Sequence, residues 1–404
     1  MHVLIADKFE AFGIDSLKSF GFRVTYDPKL NESTLGAALA SSAADVMVVR
    51  GTKVPAAALE SAPRLGLIVR AGAGFNTIDV ATASRLGIYV SNCPGKNAVA
   101  VAELTIGLIL AIDRRIVDNV VDLRNGVWNK KEYSNARGLK DRFLGLIGFG
   151  QIGQEVARRA RSFDMKVAAW SRSLTRELAD RQGVVWCANP EEVAARCDIL
   201  SIHLAAAPET RGLVGPGVIQ RLAPGSYVIN TARGDVMDYA ALAAAVAERG
   251  LRVGLDVYAQ EPAEGTGEFK DAIVRAGGVV YGTHHIGAST DQAQTAIAEE
   301  TVRIIRTYGE TGDVPNCVNL CRRSPAKRLL VVRHLNKPGV LAHVLGEIGR
   351  AGINVEEMEN LIFANAQAAC ARIRLDDAPA PEVMQRVRSG CEHILSLSLV
   401  DLPA

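Results

Sequence analysis

The stretch Phe143-Leu144-Gly145-Leu146-Ile147-Gly148-Phe149-Gly150-Gln151-Ile152-Gly153 decides how this chain is read. Its first half is a short apolar run of strand length. Its second half carries three glycines and opens a helical segment, Gln151–Phe163. The pattern Gly-x-Gly-x-x-Gly is a weak signal alone. Between a strand and a helix it has a physical meaning: the first glycine permits a tight turn, the second lets backbone amides approach a pyrophosphate, and the third lets helix pack on strand. The helix N-terminus adds amide donors and partial positive charge. Gly148, Gly150, Gln151, Ile152 and Gly153 are therefore expected around the phosphates of a dinucleotide.

Working outward, further short apolar runs follow at Lys166–Trp170, Asp198–His203, Ser226–Asn230, Arg252–Val257 and Gly278–Tyr281, separated mostly by helical segments such as Pro190–Ala195 and Tyr239–Glu248. That is the strand supply of a doubly wound dinucleotide-binding sheet. The first hundred residues show the same alternation, with strands expected at Val3–Ala6, Val46–Val49, Leu67–Val69 and Ile88–Val90, and a single long helix from Ala98 to about Val121. Such alternation means βαβ units and parallel sheets. A helix from about Thr290 to Tyr308 leads into a Gly- and Pro-containing stretch read as a linker. The remaining segments, Arg328–His334, Gly339–Arg350, Ile353–Phe363, Ala368–Leu375, Pro381–Arg388 and Ile394–Leu399, have the order βαββαβ of a ferredoxin-like domain. The fold class is thus α/β: two doubly wound Rossmann-like domains plus a small C-terminal α+β domain.

Composition narrows the function classes. The chain has 404 residues, 48% apolar and 22% charged, and its 46 Lys plus Arg against 44 Asp plus Glu leave a formal charge of only +2. No surplus of positive charge exists to drive phosphate-backbone binding, so no nucleic-acid partner is expected. The longest apolar stretch, Ala98–Ile112, is interrupted by Glu103 and too short to cross a bilayer. No signal peptide is visible, and seven cysteines without a Cys-x-x-Cys pair fit a reducing, cytoplasmic setting with free thiols. Cys317 and Cys321 lack further ligands at metal spacing, so no metal site is expected.

Strand ends locate the chemistry. An acid to hold an NAD ribose belongs about 20 residues past the glycine loop, but Trp170 is followed by Ser171-Arg172-Ser173. With no carboxylate to repel a 2′-phosphate, and with Ser171 and Arg172 able to bind one, NAD and NADP both remain open. Arg233, Glu261 and His285 each lie just past an expected strand, where ligands bind in open parallel sheets. A guanidinium can grip a carboxylate through paired hydrogen bonds. An imidazole can take a hydroxyl proton as hydride leaves, and a carboxylate can orient that imidazole and stabilise its cationic form. Together they suit oxidation of a 2-hydroxy acid.

The motifs resemble those of the D-isomer-specific 2-hydroxyacid dehydrogenases, most closely the phosphoglycerate dehydrogenase branch with one regulatory ACT domain. The matching stretches are Arg70-Ala71-Gly72-Ala73-Gly74-Phe75-Asn76-Thr77-Ile78-Asp79, Asn92-Cys93-Pro94 with Ala102-Glu103, the glycine loop, Asn230-Thr231-Ala232-Arg233-Gly234, Asp256–Pro262 and His285-Ile286-Gly287-Ala288-Ser289-Thr290. The resemblance implies Arg233, Glu261 and His285 as the catalytic set, Thr231 and Ala232 at the cofactor, and Asp256 near its nicotinamide amide. Val49-Arg50-Gly51-Thr52-Lys53 resembles the branch's Val-Arg-Ser-x-Thr-Lys, where the Arg contacts substrate phosphate; Gly51 replaces the Ser, losing a hydroxyl donor but keeping an amide. Arg50, Arg70 and Lys130, with Gly72, would form the substrate pocket. Trp128-Asn129-Lys130 resembles a family segment that reaches into a neighbouring subunit's site. His284 stands where the family usually has Pro.

The resemblance further implies 3-phosphoglycerate as substrate, in serine biosynthesis, and serine as an effector held by His334, Asn336 and Asn354 across paired ACT domains. It also implies a homodimer or homotetramer. The expected domains are 1–95 with 286–315 for substrate, 96–285 for NAD(P), a linker at 316–325 and the regulatory domain at 326–404. Two rival readings stand beside it. One is an NADPH-dependent glyoxylate or hydroxypyruvate reductase, favoured by Ser171-Arg172. The other is a nucleotide-sensing, corepressor-like binding protein, disfavoured by the intact Arg–Glu–His set.

Overall fold

The computed structural model describes residues 1–262, 266–321 and 323–403. The chain divides into two compact units, Met1–Asn319 and Leu320–Ala404. The first unit holds two parallel sheets. Five strands, β1 (His2–Ile5), β2 (Arg23–Tyr26), β3 (Val46–Val49), β4 (Leu67–Arg70) and β5 (Tyr89–Asn92), form a sheet of order β2-β1-β3-β4-β5. Seven more, β6 (Phe143–Ile147), β7 (Lys166–Trp170), β8 (Val185–Trp186), β9 (Ile199–Ile202), β10 (Tyr227–Asn230), β11 (Arg252–Leu255) and β12 (Val280–Gly282), form a sheet of order β12-β11-β10-β9-β6-β7-β8. Every pairing in both is parallel. The strand order of the second sheet reverses between β9 and β6, which is where a doubly wound sheet opens a crevice for a dinucleotide.

Both faces of each sheet are covered, and the alternation along the strands does it. In β6, Leu144 and Leu146 face Ile106, Ile109 and Ile112 of helix Ala98–Arg114 and Val156 and Ala160 of helix Gln151–Arg161. Ile147 faces Val193 and Val218 on the other side. Gly145 cannot be larger, because an added Cβ would meet Val193 and Cys197 at 2.7 and 2.8 Å. In the first sheet, Val3, Ile5, Val48 and Val69 pack with Ile297, Ile304 and Ile305, which come from helix Asp291–Thr311. The chain therefore returns to its first sheet after completing the second. Each such buried aliphatic side chain contributes about 1.5–3 kcal/mol.

The second unit is a four-stranded antiparallel sheet. Strands β13 (Arg328–Leu335), β14 (Val355–Ile362), β15 (Ala368–Leu375) and β16 (Ile394–Asp401) take the order β14-β15-β13-β16, with helices Val340–Arg350 and Pro381–Ser389 packing Val344, Ile348 and Val387 onto Leu330, Val332 and Ile373.

Three expectations about elements need correction. The edge strands β2 and β8 were not expected; β2 is exposed or half-exposed throughout and β8 is two residues long, so neither carries a strong apolar pattern. The single helix from Ala98 to Val121 is two helices, Ala98–Arg114 and Ile116–Arg124, because Arg115 adopts φ +51 in the left-handed region. Helices Ala11–Ser19 and Ala56–Glu60 were also not expected. No helix among the described residues is long and apolar enough to cross a membrane.

Candidate active site

The crevice above β6 and β9 is shaped for a close backbone approach. Gly148 has φ +99, and a Cβ there would lie 2.3 Å from the His203 carbonyl oxygen; a Cβ on Gly153 would lie 2.4 Å from the Gly148 carbonyl oxygen. Both are required by packing. A Cβ on Gly150 meets nothing within 4 Å, so that glycine leaves open space. It is also the N-cap of helix Gln151–Arg161 and gives it no side-chain cap. The first-turn amides at Gln151, Ile152 and Gly153 thus point to a region that accepts an anion, and the residues fit the pyrophosphate of a dinucleotide.

Past β7, Ser171 is half-buried and Arg172 exposed. Among the described residues Arg172 has no ion-pair partner within 4.0 Å. Thr231 shares a hydrogen bond with Thr105 at 2.9 Å, and the Ala232 amide donates to Asn230 Oδ1 at 3.0 Å. Asn230 also donates to the Arg233 carbonyl at 2.9 Å, so its buried amide builds the turn that presents Arg233. Gly234 is obligatory there: a Cβ would fall 1.9 Å from the Tyr258 carbonyl oxygen.

Three strand ends meet at the mouth of the crevice. His285 Nδ1 is 2.7 Å from Glu261 Oε2, and Glu261 Oε1 accepts the Tyr258 amide at 3.0 Å. Burial by itself would raise the Glu261 carboxyl, but the hydrogen bond from His285, the Tyr258 amide and the Arg233 charge outweigh it and hold the carboxyl below its ordinary range. Arg233 is largely buried, which lowers its guanidinium, with Glu261 and Asp235 opposing. Its Nη2 lies where a Cβ on Gly74 would be, at 2.1 Å. Arg233 thus crosses from the second sheet to the loop that follows β4.

That loop holds a second arginine. Arg70 ends β4, and Gly72 at φ +149 leaves the space its guanidinium fills, since a Cβ there would sit 1.4 Å from Arg70 Nη1. Arg70 Nε is buried and, among the described residues, has no hydrogen-bond partner. Burial, then the charges of Arg233 and Arg50, push the Arg70 guanidinium down to about 10. Arg233 and Arg50 thus both place positive charge near Arg70, and the carboxylates that oppose the charges of Arg70 and Arg233 are Asp7, Glu261 and Asp235. Such a cluster is relieved by an anion.

Asp7, at the end of β1, was not anticipated. Its Oδ2 accepts the amides of Arg50, Gly51 and Thr52 at 2.6, 3.1 and 3.1 Å. It fixes the loop that presents Arg50. The amide expected to remain available at Gly51 is therefore taken, a correction to the sequence reading. The rule used for Arg233, that polar residues past strand ends matter, applies equally to Asp7 and to His203 after β9. Burial pushes His203 down to about 3, so it stays neutral; Nε2 pairs with Ser201 Oγ at 2.9 Å and Nδ1 has no partner among the described residues.

Two expected groupings do not form within one chain. Lys130 is exposed and stands apart from the arginines, beside a hollow of about 620 Å³ lined also by Trp128, Asn119 and Tyr133. The positive charges brought near one another within a single chain are Arg50, Arg70 and Arg233. In the second unit, the buried His334 ring contacts the Leu335 carbonyl at 2.8 Å and Asn360 Oδ1 at 3.2 Å, and Asn336 donates to the Ala366 carbonyl at 3.1 Å. Asn354 does not join them. His334 is level with Ala369 and Val355 with Leu375, six residues or ~20 Å along the strand. Asn354 instead bonds Glu356 at 2.8 Å. Among the described residues no group of three or more His, Cys, Asp or Glu is placed to hold a metal ion.

Comparison with known proteins bears on the same regions. A family model described as the D-isomer specific 2-hydroxyacid dehydrogenase, NAD binding domain, matches residues 106–287. A D-3-phosphoglycerate dehydrogenase of Methanocaldococcus jannaschii is 36% identical over 311 residues, 76% of this chain and 56% of that protein. The chain thus spans little more than half of that relative's length. A hydroxypyruvate reductase of Thermotoga maritima is 39% identical over 263 residues, 65% of this chain and 83% of that protein. Among solved structures, a 3-phosphoglycerate dehydrogenase of Entamoeba histolytica with bound NAD+ matches with a TM-score of 0.66 at 25% identity, covering 79% of this chain and 99% of that one.

Proposed function

The chain belongs to the D-isomer-specific 2-hydroxyacid dehydrogenase family, and from that premise we propose that it interconverts 3-phosphoglycerate and 3-phosphohydroxypyruvate with NAD or NADP. The observation that carries the substrate is the arginine cluster: Arg50, Arg70 and Arg233 with little compensating charge suit a molecule bearing both a carboxylate and a phosphate. Arg233 grips the carboxylate and orients the hydroxyl-bearing carbon. His285, whose Nδ1 is held by Glu261, takes the hydroxyl proton on Nε2, which has no partner among the described residues. The bound nicotinamide supplies the hydride acceptor. Glu261 balances the positive charge that the imidazole gains, and the same groups run in reverse when the oxo acid is reduced.

The lobe of 1–95 with 286–315 carries the phosphate-facing arginines in this reading, 96–285 the cofactor, and 326–404 an ACT-type regulatory domain that takes serine in the cytoplasm. A homodimer is supported by helix Ile116–Arg124, which buries no residue, and by Trp128, 81% exposed beside Lys130. The hydroxypyruvate reductase of Thermotoga maritima and the missing hydroxyl at Gly51 favour a second reading, reduction of an unphosphorylated 2-oxo acid.

The test is replacement of the proton carrier. His285→Gln is expected to lower kcat by roughly 10²- to 10⁴-fold while NADH binding, followed by fluorescence, stays near that of the unaltered protein. Unchanged turnover would remove the histidine from the mechanism.

A further inference from the structure

His285 is held in an unusual backbone state. Its φ is +53, in the left-handed region that non-glycine residues rarely adopt. Something must over-determine that conformation. The bonds converge on Asp256, which is 1% exposed. Asp256 Oδ1 accepts the Thr283 hydroxyl at 2.6 Å and the Ile286 amide at 2.8 Å, and Oδ2 accepts the Gly287 amide at 2.8 Å. One carboxylate thus brackets His285 from both sides. Thr283 is itself fixed: its amide donates to the Leu255 carbonyl at 2.8 Å, and its carbonyl accepts the Tyr258 hydroxyl at 3.1 Å.

We propose that Thr283 is a positioning residue for His285. Through Asp256, its hydroxyl fixes the carboxylate orientation that keeps residues 284–287 in register and the imidazole on Glu261. The proposal rests on the dehydrogenase reading. The two amides hold one oxygen each, but both come from the segment being positioned. The Thr283 hydroxyl, outside residues 284–287, ties the same carboxylate to the end of the strand. Among the described residues, Thr283 supplies the one side-chain hydrogen bond to Asp256. Oδ2 keeps an accepting position beyond the Gly287 amide, so this clamp is compatible with a donor from a bound cofactor on the same carboxylate. The loop has no proline ring at His284 to stiffen it, so its restraint comes from hydrogen bonds, this clamp and the His285–Glu261 bond among them.

Thr283→Val removes the hydroxyl at constant shape, and Thr283→Ser restores it. In the full chain, Thr283→Val is expected to lower kcat roughly 10- to 100-fold, the scale of a small misplacement of a reacting group. KM for the oxo acid and Kd for NADH should stay within about twofold, and Thr283→Ser should return kcat to near the starting value. In the ligand-free protein, the ring resonances of His285, identified by their loss in His285→Gln, should move in Thr283→Val and not in Thr283→Ser. Should the valine variant fail to fold, Thr283→Ala removes the same hydroxyl and is read the same way. Wild-type kcat in the valine variant, equal losses in the valine and serine variants, or unmoved His285 resonances would overturn the proposal. Failure of the dehydrogenase reading would show differently, as absence of NADH binding and turnover in the unaltered protein.

Discussion

At the scale of single residues, the site depends on what is missing as much as on what is present. Gly74 has no Cβ, and the Arg233 guanidinium occupies that space. Because the intruding atom is the far end of a flexible side chain, Gly74→Ala should fold but displace the arginine. KM for the oxo acid is expected to rise roughly 10- to 100-fold, the worth of a lost charge-assisted hydrogen bond, with NADH binding unchanged. Steady-state kinetics and fluorescence titration check both; an unchanged KM would mean that Arg233 does not need its observed position. Sequence reasoning singled out Arg233, Glu261 and His285 because strand-end position is legible from apolar runs. It did not find Asp7, Thr283 or Asn360, whose roles come from hydrogen bonds to partners remote in the sequence or on a separate strand.

At the scale of elements, periodicity made the interior strands legible and left the edges obscure. Strands buried on both faces read as apolar runs, whereas β2 and β8 bury too little to leave a pattern. The break at Arg115 was hidden for another reason: Arg is a good helix former, and its side chain in the left-handed turn pairs locally with Asp118 at 2.9 Å and, farther along the chain, with Glu132. Helix Asp291–Thr311 is tied to the crossover after β5 by Glu300, which accepts from Arg303 at 2.6 Å and Asn316 at 2.7 Å and pairs with Lys96 at 3.4 Å. The Arg303 hydrogen bond, with Asn316 and Lys96 assisting and burial opposing, holds the Glu300 carboxyl down to about 2 from 4.5. A depressed carboxyl contributes its stability in full above its ordinary value and loses it as pH falls toward the folded one. Glu300→Gln is therefore expected to lower stability at neutral pH, by about 1–3 kcal/mol once screening at the exposed Arg303 and Lys96 is allowed for, and to flatten the fall in stability below pH 4.5. Urea unfolding across that range measures it; parallel curves for the two proteins would contradict it.

At the scale of the whole molecule, the proposed function assigns catalysis to one unit and control to the other. His334→Ala is expected to abolish inhibition by serine while leaving uninhibited turnover nearly unchanged, measured as initial rates against serine concentration; equal inhibition of both proteins would remove the effector site. Because Asn354 sits ~20 Å along the sheet from His334, a site using both needs a second copy of the chain. The central claim, however, is that three crowded arginines select a doubly anionic substrate. It is tested most directly by kcat/KM of the purified protein for 3-phosphohydroxypyruvate against hydroxypyruvate, with NADH and NADPH in parallel. With a charge-assisted hydrogen bond to phosphate worth about 1.5–3 kcal/mol, the phosphorylated compound should be preferred at least about tenfold, and Arg70→Ala should erase most of that preference. Equal or faster reduction of hydroxypyruvate would contradict the account and leave the chain an unphosphorylated 2-oxo acid reductase.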